Sequence, residues 1–269
     1  MTKEQRWIKN FAIGLAVLLI VGIFSGILGV LKGITLFFSD SEKSGEMTDY
    51  PVSSEVRSLE LFLSAAQVTI QTGEKFAVCS NLENLKVSET GGVLTLREKK
   101  ALFRSTKSDA TLTLTVPENF VFERAEISTG AGALTADSLS AMEIEMELGA
   151  GKVFFSHLSA QRSADIQGGV GKITVENGSL HNLQAEMGVG EWHYTGFLTG
   201  EAELEFGIGN SKLILLGQSE DYRLECEKGI GNLTVDNKRV SGNETIGSGE
   251  NKIRLEAGIG NIEISFQGE

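Results

Sequence analysis

The sequence predicts an all-β protein, a parallel β-solenoid (β-helix-like) strand repeat with rungs of about 20 residues, preceded by one N-terminal transmembrane α-helix. Three observations predict it. A Gly-x-Gly triplet opens at Gly130, Gly149, Gly169, Gly188, Gly207, Gly229 and Gly258, at intervals of 19, 20, 19, 19, 22 and 29 residues. Each triplet follows a run in which apolar and polar residues alternate strictly. Near the amino terminus, 21 consecutive residues, Phe11 to Leu31, carry no charge.

Residues 1–10 are expected to be cytoplasmic and 11–38 to form the anchor. At about 1.5 Å per residue the uncharged run is long enough to span hydrocarbon, and it exceeds the core of a signal peptide. Lys3, Arg6 and Lys9 precede it, whereas Asp40, Glu42 and Glu46 follow. The positive-inside rule therefore places the carboxy-terminal domain outside, in a single-pass topology at the cell membrane. Gly22, Gly26, Gly29 and Gly33 share one stripe of this helix. Such a stripe suits close packing against a second copy or another membrane protein, although glycine is also common in membrane helices generally. Residues 39–54 are polar and read as a linker.

The extracytoplasmic domain is expected over 55–269. Strand-like runs without glycine corners (Val56–Leu61, Gln67–Ile70, Phe76–Val78, Leu85–Val87, Val93–Leu96 and Thr111–Val116) fill 55–120 and are expected to cap the first rung. The rungs occupy 121–269. Counting back from the first glycine of each triplet, positions five and three before are apolar, as in Ile144 and Met146 or Leu224 and Cys226; positions four and two before are polar and mostly acidic. That alternation means a strand buried on one face. The residue between the glycines continues the inward parity, and parity flips at the second glycine (Gly132, Gly151, Gly171, Gly190, Gly209, Gly231 or Gly260), as at a bulge. Asn210, Asn232 and Asn261, next in line, suit a left-handed conformation. Each rung thus reads as strand, corner, second strand and loop. The long last interval holds Asp236–Asn251, a Gly/Asn/Ser-rich hairpin or projecting loop whose Gly247-Ser248-Gly249 lacks the alternating run.

Little in the chain points to catalysis. The triplets lack the third glycine and following helix of a dinucleotide loop, and Gly168-Gly169-Val170-Gly171 lacks the Asp of a calcium-binding nonapeptide. His157, His181 and His193 have no metal-ligand spacing, and Trp192 and Tyr194 fall on core columns. No cofactor is expected. The net charge is −12, +3 over residues 1–38 and −15 over the rest, which disfavours nucleic acid as a partner. Glu145, Glu147, Glu186, Glu203, Glu205, Glu225, Glu227 and Glu256 are expected to stack as ladders of like charge. Such ladders either recruit cations such as calcium or remain a solvated face that resists aggregation. Cys79 and Cys226 are expected to be free thiols on different rungs, although a disulfide is chemically permitted outside the membrane.

From about Val56 to Phe266, the opening strands, the Thr113–Pro117 strand ending in proline and the successive Gly-x-Gly rungs resemble a bacterial family of adhesin-labelled β-strand repeats, domain of unknown function 4097 or toastrack. The resemblance implies a non-enzymatic, membrane-anchored role in surface interaction, adhesion or envelope-stress sensing and scaffolding. It carries no active-site residues with it. Two alternatives are a self-polymerising β-solenoid scaffold and a polysaccharide-acting β-helix enzyme. The short stretch Met1–Asn10 implies that any inward signal passes through a membrane partner.

Overall fold

Alternating apolar residues place one face of the long strands in a shared core. The computed structural model describes residues 46–99 and 110–268. The predicted anchor, its stripe Gly22, Gly26, Gly29 and Gly33, and the first half of the linker lie outside the described residues. Among the described residues no helix is long and apolar enough to cross a membrane.

The described residues are all-β, with one short 3₁₀ turn among them at Ser219–Asp221. Strands β1 (Thr48–Tyr50), β2 (Ser58–Gly73), β3 (Ala77–Ser80), β4 (Leu85–Thr90), β5 (Val93–Glu98) and β6 (Thr111–Pro117) come first. They are followed by β7 (Phe122–His181), β8 (Leu183–Thr199), β9 (Glu201–Leu216), β10 (Tyr222–Glu227), β11 (Ile230–Val235), β12 (Lys238–Arg239), β13 (Glu244–Ile246) and β14 (Asn251–Gln267). Parallel ladders join β2 to β7, β7 to β8, β8 to β9, β9 to β14, and β14 to both β10 and β11. Triplets meet in register: Gly190 lies opposite Gly209, Gly209 opposite Gly260, and Gly260 opposite Gly231.

Three features differ from the sequence reading. The corners do not interrupt the strands: β7 runs for 60 residues through three triplets, because bulge-like glycines let ladder bonding continue around the bend. The region 55–120 is not only a cap. Its strand β2 is itself a rung, with Ala65 opposite Ala131, while β5 and β6 pair with its other edge and β4, β3 and β1 extend the sheet from them. Finally, the rungs do not stack in chain order. The last in sequence, β14, lies between β9 and the β10–β11 rung, and the Asp236–Asn251 insertion folds back to lay β12 on β11 and β13 on β10. The tight turn into β12 uses left-handed Asp236 and Asn237.

The inward columns form one core from Val56 to Ile264. Positions five and three before each triplet are buried in every rung, from Ala125 and Ile127 to Leu224 and Cys226. Trp192 and Tyr194 are fully buried, as their columns predict, and the Tyr194 hydroxyl donates to the Phe197 carbonyl at 2.7 Å. Burial raises the Tyr194 phenol well above its ordinary range and keeps it a donor.

Both cysteines are free, Cys79 on β3 and Cys226 on β10. Burial, with the nearby Glu244 carboxylate, pushes the Cys226 thiol up to about 11 from about 9. The folded state therefore holds this proton more tightly than the unfolded chain does. Its contribution to stability is complete below about pH 9 and is lost as pH rises toward about pH 11. Denaturant titrations across that interval are expected to give a steeper alkaline loss for the wild type than for Cys226→Ala. Identical pH slopes would refute the assignment.

Candidate functional site

The corner is where local stereochemistry and surface chemistry meet. A Cβ built on Gly209 would sit 1.7 Å from the Gly190 carbonyl oxygen, and one on Gly260 would sit 1.7 Å from that of Gly209. The second glycine of each triplet also has positive φ, +148° at Gly209 and +146° at Gly260, a region in which side chains are strained. Rungs approach so closely here that each triplet must present bare backbone to the carbonyls of the rung before it. The base rung shows the converse. Gly132 stacks on Ala66, whose position in β2 has no Gly-x-Gly. The requirement points one way along the stack.

The residue between the glycines does not continue inward as the sequence parity suggests. Ile230 is 73% exposed and Ile259 44% exposed. The bend turns this column out of the core. In stacking order it reads Ala65, Ala131, Ala150, Val170, Val189, Ile208, Ile259 and Ile230, an apolar ridge that grows bulkier toward the β11 end.

Ladders of polar side chains flank the ridge. On one side, Asn232 Nδ2 donates to Asn261 Oδ1 at 3.0 Å and Asn261 Nδ2 to Asn210 Oδ1 at 2.9 Å. The expectation of a left-handed backbone at these three asparagines does not hold; they form an amide ladder, and among the described residues the left-handed asparagines are Asn119, Asn182 and Asn237. Asn261 bonds in both directions, so Asn261→Ala is expected to cost about 1 kcal/mol, read as a lower denaturation midpoint. An unchanged midpoint would remove the ladder from the forces holding the end of the stack. Further along the same column Lys172 lies 3.0 Å from Glu191 and holds its carboxyl below the usual range.

The expected acidic face divides into two columns with different chemistry. Four residues before the triplets, most carboxylates are matched by cations: Arg124 pairs with Glu145 and Glu126, and also with Glu143 two positions further back, and Arg254 pairs with Glu203 at 2.6 Å and Glu225 at 3.5 Å. Lys252 and Arg223 add contacts to Glu225. The sequence signal for this lies two residues further back, where Arg124, Arg223 and Lys252 share the outward parity. An open concavity of about 620 Å³ on this face is lined by Arg124, Glu145, Ser163, Asp165, Gln184 and Glu203, among others.

Two residues before the triplets the picture changes. Glu186 lies opposite Glu205, Glu205 opposite Glu256, and Glu256 opposite Glu227, all four exposed. None has an ion pair among the described residues. Glu147, in the same column, accepts from the Ser128 hydroxyl at 3.4 Å. Among the described residues no group of three or more His, Cys, Asp or Glu side chains is placed to hold a metal ion. The histidines stay apart: His157 is exposed, His181 Nδ1 contacts the Thr199 hydroxyl at 3.0 Å, and His193 lies 3.7 Å from Glu191. Burial, with Lys172 and Lys212 outweighing Glu191, lowers the His193 pKa.

A family model described as Toastrack DUF4097 matches residues 56–265, the span that holds the base rung, every triplet and both flanking ladders. The chain belongs to this family. No curated protein matches it. Solved structures similar to this toastrack chain include a putative cell adhesion protein from Clostridium sporogenes, with 13% identity over 82% of this chain and 99% of that one and a TM-score of 0.39. A putative adhesin from Bacteroides fragilis has 14% identity over 83% and 98%, with a TM-score of 0.46. A putative lipid binding protein from Parabacteroides distasonis has 16% identity over 83% and 93%, with a TM-score of 0.35.

Proposed function

We propose that this toastrack protein is a non-enzymatic module, tethered by an anchor at residues 11–38 with its β-domain outside the cell, that works by presenting a rigid surface to a partner in the envelope. We read its parallel stack as a β-solenoid. The observation that carries this reading is the corner itself: an apolar column and two polar columns held in register across successive rungs. A surface of this kind repeats one chemistry along a line, which suits recognition of an extended partner better than the enclosure of a small substrate. The carboxylates nearest the open concavity support the same reading, since Glu145 and Glu203 are engaged by Arg124 and Arg254.

The glycine stripe Gly22, Gly26, Gly29 and Gly33 supports helix pairing within the membrane as the route to a second copy or a signalling partner. Head-to-tail growth of the stack is disfavoured by its ends. The outer edge of β2 is already paired with β5 and β6, and that of the β10–β11 rung with β13 and β12, so neither end of the stack offers a full free edge to another copy.

The test is topological and biochemical together. A carboxy-terminal epitope on the full chain is expected to be removed by protease added to intact cells, and deletion of residues 11–38 is expected to release the chain from the membrane fraction. An epitope protected until the cells are lysed, or a deletion variant that stays in the membrane fraction, would refute the tethered, outward-facing placement. Proximity labelling from the same cells then reads the partners.

A further inference from the structure

The growing bulk of the corner ridge coincides with a change in what surrounds it. Over the first rungs the column is alanine and the outward neighbours are mixed; over the last four it is Val189, Ile208, Ile259 and Ile230. Ile230 and Ile259 are exposed and Val189 and Ile208 half-buried, and apolar side chains that reach solvent in a contiguous line mark an interaction surface more often than scattered ones do. Ile259 is 44% exposed with an isoleucine stacked on each side, so the ladder does not bury itself. Beside this line run the unpaired carboxylates Glu186, Glu205, Glu256 and Glu227; on its other side run the amides Asn210, Asn261 and Asn232.

We infer that the ridge from Val189 to Ile230 docks a cationic amphipathic helix, lying along the stack with its apolar face on the isoleucines and its basic flank over the glutamates. This deepens the reading above by naming the partner's chemistry, and it rests on that reading only for the partner's location. Charge complementarity selects the sign: four carboxylates without a counter-charge beside an apolar line favour lysine or arginine and repel an anionic lipid surface. Spacing selects the helix. Rungs repeat about every 4.8 Å and a helix turn about every 5.4 Å, so one side chain per turn keeps within roughly 2 Å of its rung across the four. An extended strand presents one face about every 6.8 Å and falls out of step after a single rung. The amide ladder completes a polar rim on the opposite side.

The experiment uses the full chain in phosphatidylcholine nanodiscs, with empty nanodiscs as the blank. The probe is a fluorescein-labelled Leu/Lys amphipathic peptide of about four helical turns. The controls are the same peptide with glutamate in place of lysine and a scrambled sequence. Binding above the blank is expected for the Leu/Lys peptide alone, weakening as salt rises. Ile230→Ser with Ile259→Ser is expected to weaken it at least about tenfold. Glu205→Gln with Glu256→Gln and Glu227→Gln is expected to weaken it to a similar degree and flatten the salt dependence. All five residues are exposed, so thermal melting of both variants should match the wild type. Binding no tighter than the blank, binding that survives either set of substitutions, or equal binding of the scrambled peptide would overturn the inference. So would anionic vesicles or a second copy of the chain occupying the ridge in place of the peptide. Each of these results leaves the protease and fractionation outcomes untouched, so the two readings fail separately.

Discussion

Gly209→Ala is expected to lower the melting temperature by about 10 °C or more, a large loss for one methyl group. Its Cβ would sit 1.7 Å from the Gly190 carbonyl oxygen, and its backbone is at φ +148°. Overpacking costs about 1–3 kcal/mol and a side chain in that region of φ about 1–3 kcal/mol, together about 2–6 kcal/mol. A domain with about 5–15 kcal/mol in hand loses much of its margin. The clash is with backbone shared by neighbouring rungs, so it cannot be relieved by turning a rotamer, and Gly260→Ala should behave the same way. Gly242→Ala is the internal control, because nothing lies within 4 Å of its added Cβ. Circular-dichroism melts decide the matter. If Gly209→Ala melts within about 2 °C of Gly242→Ala, the corner does not hold the stack.

Trp192→Ala is expected to destabilise the protein by about 3–5 kcal/mol, whereas Trp192→Phe should cost far less, about 1 kcal/mol or below. Trp192 is 0% exposed, packs 6.1 Å from Phe206 between ring centroids, and lies opposite Ser211 on the next rung. The small serine leaves the room that the indole fills, so truncation to alanine opens a cavity spanning two rungs. Its Nε1 has no hydrogen-bond partner among the described residues. Phenylalanine removes that unpaired donor together with part of the ring, and relief of the first offsets loss of the second. Equal destabilisation by both substitutions, measured by chemical denaturation, would show that the indole N–H is bonded after all.

Much of this was legible because it is local. Period-two alternation names Ile144, Met146, Leu183 and Leu255 as buried without reference to any other rung, and all four are. The glycine columns are visible for the same reason: each triplet answers one stereochemical demand, and the demand recurs at each rung. The outward turn of Ile230 and Ile259 was not legible, since the parity of a bend depends on φ and ψ at the glycines, which any sequence of Gly-x-Gly permits. Nor was the split of the acidic face. Arg124 and Lys252 look like scattered charges until the register sets them beside Glu145 and Glu225. The asparagines were misassigned because left-handed propensity and ladder bonding favour the same residue type.

The sequence by itself determined the strand repeat, its inward columns, the glycine corners and the family to which the chain belongs. Only the tertiary structure decided the order of the stack. Repeating rungs offer nearly interchangeable edges, so local pattern cannot say which edge meets which. The β11 rung accepts β14 on one side and the β12 and β13 segments on the other because the Asp236–Asn251 insertion is long enough to fold back and return the chain to the vacant edge of β9. That single rearrangement brings Ile208, Ile259 and Ile230, and Glu205, Glu256 and Glu227, into two continuous lines. The ridge is therefore a property of the packing of rungs, written in residues that are far apart in the chain.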